Sequence, residues 1–104
     1  MSRKRARIGA MQALFSMDVN DDFSTDKLDL VDETIEKNLK GWTMARLAKV
    51  DRQILRIAVY EFLYKDDIPE EVSINEAVEI ARLYSSDEAP KFINGILGTI
   101  YRSF

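Results

Sequence analysis

A chain of 104 residues, 46% of them hydrophobic, holds enough apolar side chains for one compact domain with its own core and too few for two. It contains no Cys and no His, which excludes a disulfide framework and thiolate metal sites and removes the usual general base, so neither an enzyme nor a bound cofactor is expected. The net charge of −3 is unevenly spread: the first 17 residues carry four cations (Arg3, Lys4, Arg5, Arg7) and no anion, leaving 11 cations against 18 anions in the rest.

Such an acidic body repels nucleic acid over most of its surface and leaves the basic arm as the expected docking point for a polyanion. The longest apolar stretches, such as ILRIAVY, are broken by charge, and no signal-peptide pattern precedes the first helix. No membrane span is expected, and the expected compartment is the cytoplasm.

Ser2 can cap a first helix running to about Asp18, in which Ile8, Met11, Leu14 and Phe15 form an apolar stripe at three- and four-residue spacing. NDDFSTD then breaks the pattern with turn formers. A second helix is predicted from about Asp26 to Lys40, with Leu28, Val31, Ile35, Leu39 and Trp42 on one face and Gly41 as its stop. Thr43 can cap a short turn carrying Met44 and Leu47.

Asp51 is placed to cap RQILRIAVYEFLYK, whose apolar residues cover too wide an arc for a surface helix, so this is the expected central helix. In DDIPEEV, Pro69 marks a connector. SINE then reads as a capping box, Ser73 with Glu76, ahead of Ile74, Ala77, Val78 and Ala81. SSDEA leads to Pro90 in the first turn of a last helix that sends Phe92, Ile93, Ile96, Leu97 and Ile100 inward. No stretch alternates with period two between hairpin turns, so residues 1–104 read as a single all-α bundle.

Candidate chemistry concentrates on two helices. The paired carboxylates Asp21/Asp22, Asp66/Asp67 and Glu70/Glu71 match no metal-loop pattern and read as solvated turns. On the first helix, Arg5, Gly9, Gln12 and Ser16 share one strip, with Phe15 at its border. Cations at a helix N-terminus oppose the dipole by roughly 0.3–1 kcal/mol each at low salt, so helix stability does not account for them. Gly9 permits close backbone approach, Gln12 offers a donor and an acceptor to a base edge, and Phe15 offers a face for stacking or a side chain for the core. In the last helix, Lys91, Gly95, Gly98 and Arg102 form a second strip. Its glycines suit contact with a neighbouring helix, or a phosphate track between the two cations.

ARIGAMQALF, VDRQILRIAVYEFLY, DIP, VSINEAVEIARLYSS and KFINGIL, in this order and spacing, resemble the NusB family of bacterial transcription antitermination factors. The resemblance covers most of the chain from Ala6 to Leu97. It implies an all-helical fold that binds boxA-like single-stranded RNA together with the ribosomal protein NusE, within antitermination complexes on RNA polymerase. Residue by residue, it implies that Arg3, Lys4, Arg5 and Arg7 hold phosphates and that Gln12 and Phe15 lie near the bound bases. Lys91 and Phe92 would form a second RNA-proximal patch, and Asp51 would face NusE.

The sequence departs from the family in two ways. Phe15 stands where the family often has Tyr, and the helical segment usually found between SMDVNDDF and DKLDLVDETIEKNLKGW is absent. Without that segment, apolar residues of the first helix lose cover that a homodimer could supply. Two other readings stand beside it: a protein–protein scaffold or dimerisation module without RNA binding, and, since RNA methyltransferases can carry a NusB-like domain, the accessory domain of such an enzyme, which without a cofactor-binding segment would hold only for a fragment.

Overall fold

The computed structural model describes residues 25–41 and 43–104. Among these, four α-helices and one 3-10 turn occur and no strand: α1 (Thr25–Glu36), the 3-10 turn Met44–Arg46, α2 (Lys49–Tyr64), α3 (Glu70–Tyr84) and α4 (Ala89–Arg102). The all-α expectation is met. The expected first helix and Trp42 lie outside the described residues.

Helix α2 is the centre, touching α1, α3 and α4, while α3 also lies along α4. Its Ile54, Leu55, Ala58 and Val59 are buried, as the wide apolar arc requires. They meet Val31 and Ile35 of α1, Ile74, Ala77, Ile80 and Ala81 of α3, and Ile93, Ile96, Leu97 and Ile100 of α4 in one core cluster. Burial of this apolar surface, at about 25 cal/mol per Å², is the main drive holding the helices together.

Polar ties also cross the bundle. The Arg56 Nε and Nη2 atoms donate to the two carboxylate oxygens of Asp32 at 2.8 and 2.9 Å, which joins α2 to α1. The Ser73 hydroxyl donates to Glu61 Oε1 at 2.7 Å, both residues being buried, which joins α3 to α2. A fork-to-fork Arg–carboxylate pair fixes orientation as well as distance.

Four local expectations need correction. Helix α1 ends at Glu36 rather than near Lys40, because Asn38 and Leu39 donate their amides three residues back, to Ile35 and Glu36, and the Asn38 side chain takes the Thr34 carbonyl at 2.9 Å. Leu39 is still buried, and Gly41, at φ +79°, supplies the left-handed residue that turns the chain away. Asp51 does not cap α2: the N-cap is Ala48, and Asp51 sits within the first turn, where its charge complements the helix dipole.

The 3-10 turn after Thr43 forms and buries Met44, but no side-chain cap from Thr43 accompanies it. The Ser73–Glu76 capping box is not built either. Helix α3 begins a turn earlier, with Pro69 as its N-cap and Glu70 and Glu71 in the first turn. The Ser73 amide bonds back to the Pro69 carbonyl, leaving its hydroxyl for Glu61. Carboxylates in the first turn favour the earlier start.

A candidate interface at the start of the last helix

The connector between α3 and α4 brings together residues far apart in sequence. Ser85, the C-cap of α3, donates its hydroxyl to Asp51 Oδ1 at 2.5 Å, so the end of α3 is anchored on the first turn of α2. Helix α4 starts immediately beyond, with Glu88 as N-cap and Pro90 in its first turn. Pro is favoured there because its missing amide would have had no intrahelical partner.

Next to this anchor lies a shallow pocket of about 270 Å³, lined by Arg46, Leu47, Ala48, Asp51, Ser86, Glu88, Ala89 and Phe92. Phe92 is half-buried and packs against the core with part of its surface in the pocket. Asp51 and Phe92, assigned to different roles in the sequence, therefore share one concavity. Its lining combines apolar Leu47, Ala48 and Ala89 with the carboxylates of Asp51 and Glu88, and among the described residues Arg46 is the one cation there. Such a surface suits an aliphatic side chain flanked by cations.

Lys91 faces elsewhere. It is exposed and borders a second, larger groove, lined also by Val78, Arg82, Ser86, Asp87, Pro90 and Asn94. Ser86 belongs to both concavities, so the two meet at the α3–α4 connector.

The remaining site residues of the sequence reading, Arg3, Lys4, Arg5, Arg7, Gly9, Gln12 and Phe15, lie outside the described residues. On the last-helix strip Gly95 is exposed, and among the described residues nothing lies within 4 Å of where a Cβ would stand, so no described helix packs against it. At Gly98 a Cβ would, among the described residues, meet the Arg102 guanidinium of its own helix, at 3.3 Å, and that guanidinium also donates to the Thr99 hydroxyl at 3.4 Å.

Arg82, Asn94 and Glu88 were not singled out in the sequence. Asn94 is three residues from Lys91 and so falls on its side of the helix, a signal the sequence did contain. Arg82 approaches Lys91 only because α3 and α4 pack against each other. Among the described residues no group of three or more acidic side chains gathers as a metal ion requires, and no helix is long and apolar enough to cross a membrane.

Comparison with known proteins places the geometry in context. The model of the NusB family matches residues 24–102. The transcription antitermination protein NusB of Bacillus velezensis is 40% identical over 124 aligned positions, covering 96% of this chain and 95% of that protein. The protein of the same name from Listeria monocytogenes is 41% identical over 123 positions, with 96% of each covered. An alignment of 124 positions against a chain of 104 residues means that the Bacillus protein carries residues that this sequence does not. Among solved structures, T. maritima NusB superposes with a TM-score of 0.85 at 33% identity, covering 98% of this chain and 92% of that one.

Proposed function

The chain belongs to the NusB family of transcription antitermination factors, and from that premise we propose that it binds boxA-like single-stranded RNA jointly with the ribosomal protein NusE, as part of an antitermination complex on RNA polymerase in the cytoplasm. In this reading residues 1–104 act as one RNA-binding domain. Arg3, Lys4, Arg5 and Arg7 hold phosphates. Gly9, Gln12 and Phe15 meet the bases, and Lys91 and Phe92 extend the RNA contact onto α4. Asp51, with Glu88, receives a cationic and apolar segment of NusE.

The observation that carries this reading is the juxtaposition on the α3–α4 connector. An exposed lysine and a half-exposed phenylalanine sit at the start of α4, and the phenylalanine shares its pocket with two carboxylates. A basic–aromatic pair serves a single strand by charge and stacking. Carboxylates would repel the same strand, so they suit a different occupant. An arrangement of opposite charges side by side favours two ligands meeting at one edge.

The test is a fluorescence anisotropy titration with boxA-like RNA and a scrambled control across a salt series. We expect binding to weaken with salt at a slope of about −0.7 per phosphate contacted. Replacing Arg3, Lys4, Arg5 and Arg7 by Ala is expected to flatten that slope, whereas replacing Gln12 is expected to change base preference with little effect on it. No binding of either RNA at low salt would leave the protein–protein scaffold as the better account.

A further inference from the structure

The larger groove, of about 460 Å³, lies between the end of α3 and the start of α4. It falls within the size range of small-ligand sites. Its walls carry a cation from each helix, Arg82 and Lys91. Val78 and Pro90 supply apolar surface, while Ser86 and Asn94 supply a hydroxyl and an amide. Among the described residues the one carboxylate lining it is Asp87.

We infer that this groove binds one nucleotide of the RNA strand beyond those held by Lys91 and Phe92, an extension that rests on the RNA-binding reading above. The flat surface of Val78 and Pro90 receives the base. Asn94 and Ser86 meet its edge with both donors and acceptors. Arg82 and Lys91 hold the flanking phosphates. Arg82 is free to do so: its contact with Glu79 at 2.6 Å uses one nitrogen, Nη1, in an ion pair with side chains 59% and 41% exposed, and such pairs are weak.

Asp87 can accept a hydrogen bond from the exocyclic amino group of a base, while Arg82 and Lys91 outnumber it and leave the described lining net positive toward the phosphates. The exposed Gly95, one residue beyond Asn94, leaves the backbone of α4 open to close approach.

The experiment uses the full chain and a series of labelled single-stranded RNAs, each a boxA-like element lengthened one nucleotide at a time from either end. In wild type, affinity should rise at the length that reaches the groove. At that length Arg82→Ala should bind roughly tenfold more weakly and lose about 0.7 from the salt slope, with Arg82→Lys restoring the slope. Asn94→Ala and Asp87→Asn should change which added base is preferred and leave the slope as it was. Circular dichroism would show these exposed substitutions to be folded.

Unchanged affinity at every length, or an equal loss at every length, would overturn the proposal. So would a loss of NusE binding with RNA affinity intact, since that outcome gives the groove to a protein. Wild type that binds no RNA overturns the functional reading along with it, whereas wild type that binds while all three positions are silent overturns the groove alone.

Discussion

On α2, Arg56 and Glu61 are turned inward and matched, one to Asp32 of α1 and the other to Ser73 of α3. On the outer side of α4 and the end of α3, Lys91, Asn94 and Arg82 are exposed, and Gly95 among them is exposed as well. The first set is committed to the fold, because a buried charge deprived of its partner is costly. The second contributes little to stability, so its side chains are available to a ligand. The contrast separates residues that hold the bundle from residues that the bundle presents.

The largest effect should come from breaking the inward set. Arg56→Ala strands Asp32 between α1 and α2, and with Asp32 a quarter exposed the loss should lie at the lower end for a buried pair, about 3 kcal/mol. In thermal unfolding that corresponds to a fall in Tm of roughly 10–20 °C. If Arg56→Ala melts like wild type, the pair is not holding α1 to α2.

Two glycines offer a sharper comparison, with opposite signs. Gly41 sits at φ +79°, where a Cβ is strained, so Gly41→Ala should destabilise by about 1 kcal/mol. Gly95 lies inside α4 with room for a Cβ, so Gly95→Ala should stabilise by roughly 0.5–1 kcal/mol. If RNA passes close to α4, the same Gly95→Ala change should raise Tm yet weaken RNA binding, a combination that a purely structural glycine would not give. Chemical denaturation and the anisotropy titration, run on the same preparation, read both.

The smallest effect concerns Tyr101. Its hydroxyl donates to Glu71 Oε1 at 3.1 Å, and this hydrogen bond, with the nearby Glu71 charge, raises its pKa above the usual 10.0. A raised pKa in the fold means that the contact's contribution is present below pH 10 and is lost as pH climbs through the folded-state value. An ultraviolet difference titration of wild type against Tyr101→Phe should therefore show one phenol ionising above the ordinary tyrosine range. A difference centred at or below that range would contradict the contact.

The apolar pattern of the chain was legible where one helix face alone decides burial. Leu28, Val31, Ile35 and Leu39 went to the core in the expected register, as did Ile93, Ile96, Leu97 and Ile100. Helix ends were less legible. Ser73 looked like a cap because Glu76 follows three residues later, but Pro69 and two glutamates could start the helix earlier, and the buried Glu61 across the interface claimed the hydroxyl. Asp51 likewise looked like a cap and instead receives Ser85 from another helix.

The candidate site divides in the same way. Lys91, Phe92 and Asp51 could be chosen from the sequence through the resemblance, but nothing in the sequence says that Phe92 and Asp51 line one pocket while Lys91 borders another. Arg82 was missed because its relation to Lys91 runs between helices rather than along one.

By itself the sequence determined the helical class, the identity of the central helix and the family, because each rests on local periodicity or on motifs in order along the chain. Only the tertiary structure decided which polar groups are consumed in holding helices together and which remain exposed. That outcome depends on what the neighbouring helix offers each side chain, and such offers come from residues tens of positions away, as Ser85 to Asp51 and Arg56 to Asp32 do here.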